Sequence, residues 1–247
     1  LLGSSLSFPH TPTLYRRMTR RGKRARIETY IMRDLPLFPL DTVLFPGMPI
    51  HLHIFEERYK QMMKFCLEGD RTFGVVLIRQ GQEAYGPAEI YNLGSAVRIV
   101  DVEPLEDGRM NLTAVADERF RVLEKHDDQP YLRASVECVP LRTGHLLEAL
   151  RGMGQFKNEV SAYLHSVHSN ESIDFSALEW PDDPLTMIFL AASLLEVPLR
   201  EKQALLETDE VGDVFFELMR LYRREMALLK KMPLAEKNER MPDSSLN

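Results

Sequence analysis

The hydrophobic pattern of this chain changes period at Pro140. Before it, apolar residues come in short alternating or continuous runs separated by turn signals. After it, they recur at helical spacing. That succession predicts an α+β chain whose strands come first and whose helices follow.

In the first part, Leu35–Leu40 is an extended run interrupted by Pro36 and Pro39, the pattern of an edge strand. Val43–Phe45 reads as its continuation after a turn at Asp41-Thr42, and Pro46-Gly47 as the next turn. From Met48 to Phe55 the chain alternates, with Ile50, Leu52 and Ile54 on one face and His51 and His53 on the other. Glu56 to Leu67 turns helical, with Tyr59, Met62, Met63, Phe65 and Cys66 apolar, and Gly69-Asp70 stops it. Strands follow at Phe73–Ile78, Ser95–Val102, Met110–Val115, Arg119–Leu123 and Leu132–Val139. Gly81–Pro87 reads as a loop and Glu106–Arg109 as a hairpin turn. Short strands with one early helix predict a closed or nearly closed β-barrel.

In the second part, His145–His168 fits a helix, although Gly152 and Gly154 weaken its middle. Asp182-Asp183-Pro184 places a cap before a first-turn proline and opens a helix through Leu195. Leu199–Glu207 is a shorter helix. Val211, Phe215, Leu218, Tyr222, Met226 and Leu229 then trace one long helical stripe. The expected divisions are a basic disordered extension over 1–33, a barrel subdomain over 34–140, a helical subdomain over 141–232 and a flexible tail over 233–247.

Charge divides along the same lines. Residues 1–33 carry eight of the 31 basic residues and one of the 37 acidic ones, a net of +7, which leaves −13 for the rest. So acidic a body is repelled by phosphate backbones, so nucleic acid is not an expected partner. The basic arm reads as a tether to nucleic acid or anionic membrane, as a targeting peptide, or as sequence lying ahead of a start at Met32. No apolar run reaches 18 residues, so no membrane span is expected. Two cysteines, Cys66 and Cys138, cannot make a disulfide framework, which points to a reducing, cytoplasmic setting.

Catalytic motifs are missing from the sequence. Gly69-x4-Gly74 and Gly81-x4-Gly86 are not followed by the Lys and Ser/Thr of a phosphate-binding loop. There is no Gly-x-Ser-x-Gly elbow. Cys66 and Cys138 read as small core residues. His51-x-His53 puts two imidazoles on one strand face, more consistent with a solvated polar face than a metal site. The expectation is a non-enzyme with no cofactor and no metal.

Leu35-Pro-Leu-Phe-Pro-Leu40, Val43-Leu-Phe-Pro-Gly47 and Ile50-His-Leu-His-Ile-Phe-Glu-Glu-Arg-Tyr59 together resemble the opening of the Lon protease amino-terminal domain. Phe73-Gly-Val-Val-Leu77, Gly94 before Val97 and Ile99, Asp107-Gly108, Arg119-Phe-Arg-Val122 and Lys202-Gln-Ala-Leu-Leu-Glu207 continue the pattern in order. The resemblance spans roughly residues 34–231. It implies a PUA-like pseudo-barrel followed by a helical bundle ending in a long helix. It also implies recognition of polypeptide: unfolded or client protein, or a protease or chaperone partner. Lon's ATPase and Ser-Lys peptidase segments have no counterpart in this sequence, so the resemblance is to a free-standing, non-catalytic substrate-binding domain acting as adaptor or chaperone-like module. An RNA-binding PUA-like module and a small-ligand enzyme are the alternatives, and a homodimer is open. Candidate apolar contacts are Phe45, Met48, Phe55 and Tyr59; Glu56, Arg58 and Arg119 are candidate ion-pair residues holding helix to barrel.

Overall fold

The computed structural model describes residues 13–21, 24–80, 89–168 and 180–231. Contacts divide the chain between Pro140 and Leu141 into two compact units. The loop expected over Gly81–Pro87 and the tail from Pro233 lie outside the described residues.

The first unit holds β1 (Thr13–Arg21), β2 (Arg24–Leu40), β3 (Pro49–Ile54), α1 (Glu57–Glu68), β4 (Thr72–Gln80), β5 (Glu89–Ile90), β6 (Leu93–Pro104), β7 (Met110–His126) and β8 (Arg133–Cys138). Five of these strands are hydrogen-bonded in a ring. β2 to β8, β8 to β7, β7 to β6 and β6 to β4 are antiparallel, and β4 returns to β2 in parallel. β3 lies outside the ring and pairs with the first part of β7. The result is a strand ring with an appended strand, not a regular barrel.

Three local expectations change. Leu35–Leu40 is not an edge. β2 pairs with β8 over Met32–Pro36 and with β4 over Leu37–Leu40, so it changes neighbour in mid-strand. A proline withdraws one N–H from a ladder, and a strand that uses each neighbour for only part of its length accommodates Pro36 and Pro39. Val43–Phe45 is buried but is not paired as a strand. The two runs Met110–Val115 and Arg119–Leu123 are one strand, β7. The polar Asp117 between them marks a register shift against β6, not an end. It is exposed there and pairs with Arg98 at 3.0 Å.

The basic arm, expected as a disordered extension over 1–33, runs as a β1–β2 ribbon from Thr13↔Met32 to Arg21↔Arg24. Two buried clusters stand out among the described residues of the unit. One lies under α1, around Phe38, Tyr59, Met62, Met63 and Phe73. The other lies among the ring strands, around Leu37, Val76, Phe120 and Val136. Gly94 permits a close approach of β6 to β4: a Cβ there would stand 2.3 Å from the Val75 carbonyl oxygen.

The second unit holds α2 (Leu146–Val167), α3 (Pro184–Leu194), α4 (Leu199–Glu207) and α5 (Val211–Lys231). Their apolar stripes meet in an aromatic core. Phe156 packs edge-on against Phe215 and Tyr222, and Tyr163 against Tyr222. The buried phenols are satisfied: the Tyr222 hydroxyl donates to the Ala191 carbonyl at 2.8 Å, and Tyr163 accepts from the Glu196 N–H at 3.1 Å. No helix among the described residues is long and apolar enough to cross a membrane.

Candidate docking surface

The surface around β3 begins with a turn. Met48 N–H donates to the Phe45 carbonyl at 3.1 Å, with Pro46 and Gly47 between. Gly47 has φ 84°, which only glycine adopts freely. Gly47 N–H also donates to the Ala116 carbonyl at 2.7 Å, while Ala116 N–H donates to the Met48 carbonyl at 3.0 Å. Two residues thus oppose one, a bulge with glycine first. It fixes the register Pro49↔Val115 through Ile54↔Met110.

That register sets what faces outward. Ile50, Leu52 and Ile54 pack on the cluster under α1. Pro49, His51 and His53 are exposed. Phe55 follows the same alternation and is 60% exposed. Its ring lies 6.1 Å from the His53 ring, near-parallel. Neighbouring polar groups hold the imidazoles. His51 Nδ1 is 3.0 Å from Thr113 Oγ1, and His53 Nδ1 donates to Asn111 Oδ1 at 2.7 Å. Arg109, in the hairpin after Gly108, brings its guanidinium 3.5 Å from His53 Nε2. Arg109 is anchored in turn by Asp107, whose carboxyl is held below its usual value by the Arg109 backbone N–H and guanidinium.

The seven residues singled out from the sequence divide. Phe45 and Tyr59 are core residues, fully buried and 4% exposed, and Tyr59 stacks on Phe38 with ring centres 4.0 Å apart. Met48 is partly buried against the same core. Phe55 alone of the four stands out to solvent. Glu56 and Arg58 form an ion pair at 2.8 Å just before and within α1, and the Arg58 guanidinium sits 4.6 Å over the Tyr59 ring. Arg119 is buried in the strand ring, and its Nε donates to the Val139 carbonyl at 3.2 Å. Sequence reading missed that β3 has only one neighbour among the described residues. The outward His51, His53 and Phe55 were the available signal.

Burial pushes the Cys66 thiol up to about 12, and burial with the Glu118 carboxylate does the same for Cys138, so neither supplies a thiolate near neutrality. An open polar cleft of about 460 Å³ is lined by Asp34, Asp128 and Arg133 among others, and Arg133 pairs with both aspartates. Among the described residues, His145, Glu210 and Asp213 bring ligand atoms within 4.8 Å of one another where α2 and α5 begin. Arg142 already lies 3.3 Å from the Glu210 carboxylate, and two helix N-termini add positive potential. That arrangement disfavours a further cation.

Residues 34–221 match the ATP-dependent protease La (LON) substrate-binding domain. The chain is 28% identical over 215 residues to Lon protease 2 of Myxococcus xanthus, covering 85% of this chain and 26% of that protein. It is 28% identical over 214 residues to the Lon protease of Anaeromyxobacter dehalogenans, covering 83% of this chain and 25% of that one. It thus spans about a quarter of the length of these relatives. The Lon N-terminal domain protein from Xanthomonas campestris superimposes with a TM-score of 0.50 at 26% identity, over 81% of this chain and 99% of that one. The N-terminal domain of a Mycobacterium avium complex Lon protease superimposes with a TM-score of 0.54 at 16% identity, over 77% of this chain and 98% of that one, a likeness of fold alone. The match of 34–221, across both units, settles the family: the chain belongs to the Lon substrate-binding domain family.

Proposed function

We propose that this chain recognises polypeptide, taking up exposed segments of unfolded or client protein as an adaptor or chaperone-like module, and that it does so without chemistry of its own. The observation that carries this reading is Phe55, a large aromatic 60% exposed at the end of a strand whose other apolar residues are inside. A single exposed phenylalanine is ordinary. Here it adjoins the imidazole of His53, giving an aromatic platform on an otherwise uncharged strand. Membership in a substrate-binding family supports the same direction. The setting we assign is the reducing cytoplasm, where Cys66 and Cys138 remain thiols as they are here.

The test is binding of a fluorescently labelled unfolded probe, reduced and carboxymethylated α-lactalbumin, to the full chain. Measurable binding is expected, and Phe55→Asp is expected to weaken it about tenfold, roughly 1.4 kcal/mol. The circular dichroism of the variant should match the parent, since Phe55 is not in the core. Absence of binding by the parent chain overturns the proposal. Equal binding by parent and variant removes Phe55 from it.

A further inference from the structure

We infer that the outer edge of β3 is where an extended polypeptide docks, by adding itself as a strand and bonding to the main chain at His51 and His53. This rests on the polypeptide-recognition reading and names how the recognition is made.

The bulge at Gly47 determines which backbone groups are free. Ala116 N–H bonds to the Met48 carbonyl, so Met48 turns toward β7. Antiparallel pairing alternates, so in the register Ile50↔Ala114, Leu52↔Leu112 and Ile54↔Met110 these residues also bond inward. Pro49, His51 and His53 then turn their main-chain groups the other way. Pro49 offers only a carbonyl; His51 and His53 each offer an N–H and a C=O. Among the described residues β3 pairs with β7 alone. No other described backbone bond involves His51 or His53.

Such an edge accepts one kind of ligand well, another backbone in the extended state. Two other strand edges among the described residues are guarded against it. β5 is two residues long. β6 beyond Arg98 pairs only with β7, and it carries Asp101, Glu103 and Pro104. β3 has neither Asp, Glu, Lys nor Arg in its six residues, Pro-Ile-His-Leu-His-Ile. Phe55 lies just past its end, placed to cover an apolar side chain of the incoming strand.

The occupant is a client segment rather than a second copy. Six residues of strand extend about 20 Å. An isologous β3 pair would join through main-chain groups of only two residues on each side, with little apolar area. A stable dimer buries upward of roughly 1,200 Å². A short edge suits weak, sequence-tolerant capture, in which main-chain bonds supply affinity whatever the side chains.

The experiment follows backbone amides by NMR hydrogen exchange in the full chain, with and without reduced, carboxymethylated α-lactalbumin. The amides of His51 and His53 are expected to exchange quickly in the free chain and at least tenfold more slowly with the probe. Those of Ile50 and Leu52, already bonded to β7, should change little. His53→Pro removes the outward N–H and no β7 bond, and should weaken probe binding at least fivefold. His53→Ala, which loses the imidazole but keeps the N–H, should bind the probe at least twofold more tightly than His53→Pro. Binding of the probe with no slowing at His51 and His53 overturns the edge inference and leaves polypeptide recognition standing. Failure of the probe to bind overturns both. Should His53→Pro unfold, the exchange measurement on the parent decides alone. A concentration-dependent dimer that protects the same amides without any probe assigns the edge to a second copy, and the inference fails.

Discussion

At the scale of single residues, one carboxylate does most to start α3. Asp183 Oδ2 accepts from Thr186 N–H and from Thr186 Oγ1, both at 2.7 Å, and Pro184 occupies the first helical position. These bonds hold the Asp183 carboxyl below its usual value. A carboxylate whose folded value is depressed stabilises the fold above its unfolded value, near pH 4, and loses that contribution as pH falls through the folded value. Asp183→Ala is therefore expected to lower stability by about 1 kcal/mol at pH 7 in urea unfolding. The difference should shrink toward zero near pH 2. An equal loss at both pH values contradicts the cap. Asp182-Asp183-Pro184 made this cap legible in the sequence, since the bonding partner is three residues away. The fates of Phe45 and Tyr59 were not legible in the same way. Tyr59 is buried by Phe38, twenty-one residues earlier in the chain, a partner that no local pattern names.

At the scale of elements, α2 contains two glycines that sequence alone treats alike. Both lower helix propensity by about 1 kcal/mol relative to alanine. Their surroundings differ. A Cβ at Gly154 meets nothing within 4 Å, whereas a Cβ at Gly152 would lie 2.7 Å from Cζ of Phe215. That ring is 2% exposed and packs edge-on against Phe156 at 5.2 Å, so it has little room to move. Gly154→Ala is expected to raise the melting temperature, by roughly 0.5–1 kcal/mol of stability. Gly152→Ala is expected to lower it, by roughly 1–2 kcal/mol, through overpacking. Both melting temperatures rising would show that Phe215 can shift. The helix itself was legible because its 3.6-residue period survives the glycines. The β2 assignment was less complete. Prolines marked Leu35–Leu40 as irregular, but only long-range pairing to β8 and β4 reveals that the strand changes neighbour.

At the scale of the molecule, the period change at Pro140 and the division of contacts fall at the same place. The buried clusters around Phe73 and Phe120 draw only on residues between Leu35 and Val136. The strand ring also closes within the first unit. The pairing of β2 with β8 begins at Met32↔Glu137, so a chain that starts at Met32 keeps every rung of that ladder and loses only the β1 ribbon. Residues 32–140 are therefore expected to fold alone. The reason is topological: a ring of strands with its own core has no ladder completed from elsewhere, and the pairings of β2 with β4 and β8 tie its first strand to a middle and a last one. Such long-range pairing makes folding slow and unfolding cooperative. The expected result for residues 32–140 is a single urea transition, a near-ultraviolet dichroism signal from packed Tyr59, Phe38 and Phe73, and dispersed amide resonances. Strand signal in the far ultraviolet without the near-ultraviolet signal would mean that the ring collapses without fixed packing. In that case the fold of the first unit depends on residues outside 32–140, and the binding experiments must be read on the whole chain only.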